Sequence, residues 1–99
     1  MSLTVTHTTA EQQFEVLLPN GKKATMVYRF YKQDIAFMHT EVPAEFEGQG
    51  IAASMAKAAL AWARSEGKKI MLYCPYMSAY VKRHPEYHDM VDRAYHQGF

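Results

Sequence analysis

Apolar and polar residues alternate along most of the first 42 positions of the chain, and a period of two is typical of β-strands. The alternating runs predict four strands, at Leu3–Thr8, Gln12–Leu18, Lys23–Tyr31 and Ile35–Val42. Pro19-Asn20-Gly21-Lys22 supplies a turn between the second strand and the third. Short connections of this kind predict an antiparallel meander, and Pro43 ends its last strand.

Alternate residues of a strand share one face of the sheet. In the third strand we expect one face to carry Ala24, Met26, Tyr28 and Phe30. In the fourth strand the same rule groups Ile35, Phe37, His39 and Glu41 on one face, and Ala36, Met38, Thr40 and Val42 on the other.

The pattern changes to a helical period at Gly50. Apolar residues then recur three or four positions apart, at Ile51, Met55, Ala59 and Trp62. This spacing predicts a helix over Gly50–Ser65 with Gly67 as its C-cap. The helix is rich in alanine, which permits close approach to a sheet.

A fifth strand is predicted at Lys69–Cys74. It should lie parallel to the fourth, because a strand–helix–strand unit crosses over right-handedly. A short helix is expected at Met77–Arg83, and Pro85 favours a second helix to about Tyr95, since proline suits the first helical position. The predicted class is α/β (α+β), an antiparallel meander leading into a parallel pair with the central helix packed on the sheet.

Composition limits the class of protein further. With 99 residues the chain is expected to form one domain, 1–99, either monomeric or paired with a second copy. Its 11 Lys and Arg residues nearly balance 10 Asp and Glu, so nothing in the overall charge favours nucleic-acid binding. A single cysteine, no recognisable secretory leader and no long apolar run predict a cytoplasmic protein without a membrane partner.

The run Gly48-Gln49-Gly50-Ile51-Ala52 lies between the fourth strand and the central helix. Small residues there leave backbone N–H groups accessible at the positive end of a helix, which is how proteins often bind phosphate. The run therefore predicts a site for a nucleotide-bearing cofactor. The alternative is a glycine-assisted turn that binds nothing.

Three short stretches together carry a family resemblance: His39-Thr40-Glu41-Val42-Pro43, Glu47-Gly48-Gln49-Gly50-Ile51-Ala52, and Cys74-Pro75-Tyr76 followed by Tyr80. From Met38 to Tyr87 the chain resembles the GNAT acetyltransferases, and more closely their small single-domain branch. The resemblance implies that the fourth and fifth strands splay apart and receive the pantetheine arm of acetyl-CoA. Its implied cofactor-binding residues are Val42, Gly48, Gln49, Gly50, Ile51, Ala52, Tyr76 and Arg83.

Glu47 departs from the phosphate-binding signature of that superfamily, which has Gln or Arg at this position. Because the signature holds pyrophosphate chiefly through backbone N–H groups, we expect weaker rather than abolished coenzyme A binding. We also expect the carboxylate to turn outward, since like charges repel at low dielectric.

His39 and Glu41 are candidates for removing a proton from an acceptor amine. They are two positions apart, so without a bulge they face the same side of the strand. Histidine is the side chain that most readily exchanges a proton near neutral pH. The alternative is a polar core histidine beside a solvated glutamate.

Cys74 and Tyr80 are the remaining catalytic candidates. Cys74 ends the fifth strand, where it could carry the acyl group with His39 as its activating partner, form a wall of the acyl pocket, or serve only in packing. The resemblance assigns Tyr80 as the general acid for the departing thiolate; the alternative is a packed aromatic residue.

Histidine and aspartate recur every four residues near the C-terminus, at His84, His88, Asp92 and His96. Because Pro85 interrupts the register, solvated histidines explain the spacing better than metal ligands, and no metal is expected. The preferred function is acetyl-CoA-dependent N-acetyl transfer to an amine of a protein or peptide, through an open acceptor site. A coenzyme A binding or sensing module without turnover, and an interaction domain that has lost its ligand, are the alternatives.

Overall fold

The computed structural model describes residues 3–96. Five strands form one sheet in sequence order: β1 Val5–Thr8, β2 Gln13–Leu17, β3 Lys23–Tyr31, β4 Asp34–Glu41 and β5 Ile70–Leu72. The first four strands pair antiparallel, and β5 is parallel to β4. The predicted meander and the parallel pair are confirmed, although β5 is three residues shorter than the sequence indicated.

Two α-helices follow the meander: α1 at Ile51–Ser65, and α2 at Pro75–Arg83. Short 3₁₀ turns lie at Thr9–Glu11, Ala44–Phe46 and Pro85–Met90. The C-cap of α1 is Glu66 rather than the predicted Gly67; Gly67 follows with φ of +68° and donates its N–H to the Arg64 carbonyl. Glycine is favoured just beyond a cap because it tolerates positive φ. No helix of the described residues is long and apolar enough to cross a bilayer.

The core lies between α1 and one face of the sheet. The buried face of α1 packs Met55, Ala59 and Leu60 against the sheet. On β3 the predicted inward face is confirmed at Ala24, Met26 and Tyr28, all at most 1% exposed. Phe30 is an exception, with a side chain that is 49% exposed. It lies near the end of β3, where the Lys68 ammonium lies over its ring.

A β-bulge in β4 changes which residues share a face. Tyr28 lies opposite Phe37, but the next pair along is Val27 with His39, so Met38 has no partner on β3. The extra residue shifts the alternation by one. Thr40 therefore joins Met26 on the helix-covered face, while His39 and Glu41 lie on the opposite, outer face. The predicted grouping of Phe37 with His39 is wrong for this reason.

The C-terminal part of the chain also differs from the prediction. In place of a helix to about Tyr95, the 3₁₀ turn ends at Met90, and Val91 forms a parallel bridge with Ile70 of β5. The N–H of Asp92 donates to the Ile70 carbonyl at 3.0 Å. The segment thus covers the outer edge of β5, which satisfies backbone groups that a helix would have left exposed.

Candidate functional site

The strands β4 and β5 diverge after Phe37. The backbone N–H groups of Tyr73 and Cys74 both donate to the Phe37 carbonyl, at 3.1 and 2.8 Å. Beyond that point the chain turns into α2, and in the described part of the chain no backbone hydrogen bond joins residues 38–41 to β5. The two chain segments therefore separate beyond Phe37, because β5 ends at Leu72 and the following residues turn into α2.

A cavity of about 400 Å³ opens at this divergence. It is lined by Thr40, Val42, Phe46, Glu47, Gly48, Gly50, Ile51, Ala52, Ala53 and Tyr76. Six of these are among the residues predicted to bind the cofactor. Thr40, Phe46 and Ala53 were not singled out from the sequence.

The glycine turn gives the cavity an open mouth. Gly48 and Gly50 have φ of +81° and +78°, and a Cβ atom added at either would meet nothing within 4 Å. Positive φ explains why glycine occupies both positions, since it carries no Cβ penalty there. Gly50 also caps α1, so the first N–H groups of the helix belong to residues that line the cavity.

Three predicted residues lie at or beyond the cavity margin. Gln49 borders a separate, smaller cavity of about 110 Å³ that shares Gly50 and Ile51 with the first. Arg83 is exposed at the end of α2 and lines neither cavity. Glu47 is exposed and borders the main cavity, where its carboxylate adds negative charge to a lining that contains no lysine or arginine.

Cys74 lies at the inner end of the splay and is 1% exposed. It is the N-cap of α2, and its sulfur accepts the Met77 N–H at 3.5 Å. The sulfur also contacts Thr40 Oγ1 at 3.0 Å. The predicted partner was His39, but the bulge at Met38 directs His39 to the other face and brings Thr40 to the sulfur.

His39 and Glu41 form an exposed pair on the outer face of β4. His39 Nε2 lies 3.7 Å from Glu41 Oε1, and both side chains are more than half exposed. The two residues therefore share a face, as their spacing predicts. That face is the one opposite Cys74 and α1.

Tyr76 and Tyr80 differ in their access to the cavity. Tyr76 lines it, whereas Tyr80 is 8% exposed and stacks on the His84 ring at a centroid distance of 4.0 Å. Their own rings are 6.2 Å apart. Burial raises the pKa of both phenols, so each remains a protonated donor at neutral pH.

The periodic C-terminal histidines each bond to the backbone. His84 Nδ1 contacts the Tyr80 carbonyl at 2.7 Å, and His88 Nε2 contacts the Val81 carbonyl at 2.8 Å. His96 Nε2 accepts the Leu72 N–H at 2.8 Å. Within residues 3–96, no group of three or more His, Cys, Asp or Glu side chains is arranged to hold a metal ion.

Known proteins match both the sequence and the fold. A family model described as GCN5-related N-acetyl-transferase matches residues 13–90. Protein NATD1 of Xenopus tropicalis is 40% identical over 87 residues, covering 85% of this chain and 79% of that protein. Protein NATD1 of Mus musculus is 40% identical over 84 residues, covering 82% and 76%.

A solved structure agrees with these matches. The NMR solution structure of a GCN5-like protein from Staphylococcus aureus has a TM-score of 0.72 and 27% sequence identity, over 99% of this chain and 100% of that one. The matched regions contain both diverging strands and the glycine turn. This chain belongs to the GCN5-related N-acetyltransferase (GNAT) family.

Proposed function

We propose that the protein is an acetyl-CoA-dependent N-acetyltransferase. The observation that carries the proposal is the divergence of β4 and β5 beyond Phe37, which opens unpaired strand backbone onto a cavity of about 400 Å³. Membership of the GNAT family supplies the reaction class. Acetyl-CoA would supply an acetyl group activated as a thioester.

The residues present fit such a donor. The N–H groups at Gly48, Gly50 and the start of α1 suit phosphate oxygens, because they carry the positive end of a helix and have open space before them. Backbone groups of residues 38–41 that face away from β3 suit an amide-containing arm, because an arm lying there would cover them and its own amides can supply the hydrogen bonds. Val42, Ile51, Ala52 and Tyr76 provide apolar walls, with Gln49 and Arg83 beyond them.

The two faces of β4 have different roles in the proposed reaction. Thr40 lines the cavity, and Cys74 lies buried on the same side of β4, with its sulfur 3.0 Å from Thr40 Oγ1. His39 and Glu41 lie on the outer side, where they receive the proton of the acceptor amine. An acceptor therefore approaches from the outer face while the donor occupies the cavity.

In the proposed reaction a phenol of α2 donates the proton that the departing thiolate takes up. We assign it to Tyr80, with Tyr76 at the cavity wall. Burial keeps the proton on both phenols at neutral pH, so each is available as an acid.

The acceptor we favour is an amine of a protein or peptide. Near the end of the β4–β5 ladder Met38 is 42% exposed and Tyr73 is 52% exposed, and His39 and Glu41 are exposed on the outer face of β4. Such an open surface suits an acceptor that brings its own contacts. A screen in which only small free amines were acetylated would contradict this assignment.

A coenzyme A binding or sensing module is the second candidate, and Glu47 favours it. Its carboxylate borders a cavity that lacks a cationic side chain, which weakens the hold on phosphates. Isotope-labelled acetyl-CoA, incubated with and without lysine peptides, separates the two. Labelled peptide supports the enzyme; saturable binding without labelled product supports the module, and absence of binding overturns both.

A further inference from the structure

Thr40 is a polar residue of the cavity to which the proposed reaction gives no role. The Met38 bulge turns its side chain to the cavity side of β4. Its hydroxyl contacts the Cys74 sulfur at 3.0 Å, and either atom can be the donor by geometry. The direction of this hydrogen bond decides whether the hydroxyl hydrogen of Thr40 is available to a ligand.

The hydrogen bonds around Cys74 settle the direction. The sulfur already accepts the Met77 N–H, and the thiol is 1% exposed. If Thr40 donated to the sulfur, the buried S–H would be left without the one acceptor that the contacts of the sulfur provide within residues 3–96. If the thiol donates to Thr40 Oγ1, every buried donor is paired, and the hydroxyl hydrogen of Thr40 remains available on the cavity side.

We infer that Thr40 is a hydrogen-bond donor to the acyl carbonyl oxygen of a thioester ligand, and that Cys74 is the positioning residue that orients its hydroxyl. The inference rests on the proposed function, since it needs an acyl thioester in the cavity. No bond of Cys74 is made or broken in this role. The thiol fixes the hydroxyl rotor, so the donor needs little reorganisation when charge develops on the oxygen.

Binding constants of acetyl-CoA and of coenzyme A provide the test, because only acetyl-CoA carries the carbonyl. Thr40→Val keeps the shape and removes the donor; Thr40→Ser restores a hydroxyl. We expect Thr40→Val to weaken acetyl-CoA binding by about 2- to 10-fold while coenzyme A binding changes little. If turnover occurs, kcat should fall further, by about 100-fold. Thr40→Ser should recover most of both.

Isotope-edited infrared spectroscopy of bound [1-¹³C]acetyl-CoA gives a readout independent of activity. The carbonyl stretch should lie at lower frequency in the wild type and in Thr40→Ser than in Thr40→Val. Cys74→Ala should broaden or raise the band, because the hydroxyl loses its fixed orientation. Thr6→Val on exposed β1, at the opposite edge of the sheet, is the matched control and should leave the band unchanged.

Equal weakening of acetyl-CoA and coenzyme A binding in Thr40→Val, or a carbonyl band that does not move, would overturn the inference and leave Thr40 a structural residue. These outcomes differ from a failure of the proposed function. If the proposed function fails, the wild type either binds both ligands without forming labelled product or binds neither ligand.

Discussion

The two halves of β4 differ in almost every physical respect although they are one strand. Asp34–Phe37 is buried on both faces and pairs with β3 on one side and β5 on the other. Residues 38–41 are partly or fully exposed; residues 39–41 pair with β3, Met38 is the unpaired bulge residue, and none of the four is in the ladder with β5. The first half therefore stabilises the fold, and the second half leaves backbone and side chains accessible.

The difference has two local causes. β5 ends at Leu72, and Pro75 starts α2 soon after, so no partner continues along β4. The bulge at Met38 then rotates the strand, which sends Thr40 into the cavity and His39 to the outer face. Bulges often re-aim side chains beside active sites, and here one extra residue decides which side chains of β4 face the cavity and which face outward.

The largest expected effect is a loss of stability, from a substitution in the buried half of β4, Asp34–Phe37. Phe37→Ala should lower the free energy of unfolding by about 3–5 kcal/mol, because Phe37 is fully buried and the cavity left behind cannot be refilled. Met38→Ala, one residue further and 42% exposed, is the matched control and should cost under about 1 kcal/mol. Urea denaturation measures both; similar losses would mean that the two halves are not distinct.

The second-largest expected effect is on kcat, from substitutions in the open half of β4, residues 38–41. His39→Ala should lower kcat by about 100-fold or more, because a positioned base contributes that much to proton transfer. Its exposed side chain makes the free energy of unfolding nearly insensitive to the change. Glu41→Gln should reduce kcat less, since it leaves the imidazole in place. A steady-state assay measures kcat for both variants, with Glu11→Gln as the control. The assignment would be contradicted if His39→Ala and Glu41→Gln matched the wild type as the control does.

A smaller effect is expected at the glycine turn. Gly50→Ala and Gly21→Ala both force a Cβ into positive φ, at +78° and +83°, and each should cost about 1–2 kcal/mol of stability. Gly50 lines the cavity and Gly21 does not. Calorimetry should therefore show weaker coenzyme A binding for Gly50→Ala alone, and equal weakening in both variants would show that the turn is only structural.

The smallest effect concerns Asp34, at the paired end of β4. Burial and a hydrogen bond to Asp92 raise the pKa of Asp34 to about 6, although Lys68 and Lys69 oppose the rise. The folded state therefore holds a proton that the unfolded chain releases, and its contribution to stability is lost as pH rises from about 4 to about 6. Asp34→Asn should flatten the dependence of unfolding free energy on pH in this window. An unchanged slope would contradict the raised pKa.

The sequence predicted the elements that local rules determine. Alternation located the meander, and the position of Gly50 marked where α1 begins. The second helix was predicted at Met77–Arg83 and begins two residues earlier, at Pro75.

The sequence could not reveal the bulge, because Met38 looks like any alternating residue and only the β3–β4 register shows it unpaired. Thr40 was not predicted to line the cavity for the same reason. Without the bulge, alternation places its side chain on the face of β4 opposite Phe37.

The C-terminal segment shows a second limit. Pro85 is a sound signal for the start of a helix, but the competing partners of this segment are residues of β5, which lie 21 and 24 residues earlier in the chain than the residues they bond. The Leu72 N–H bonds to His96, and Ile70 pairs with Val91. Pairing across such a separation is tertiary information that local propensity does not contain. The predicted catalytic and cofactor-binding roles remain predictions.

The most direct test of the central claim is an amide NMR titration of the ¹⁵N-labelled protein with coenzyme A. If the open half of β4 and the glycine turn hold the acyl carrier, the largest shift changes will fall on residues 38–42, 48–53 and Tyr76. Amides of β1, β2 and Asp34–Phe37 will move little. Saturable changes confined to β1 and β2, or none at millimolar ligand, would contradict the account.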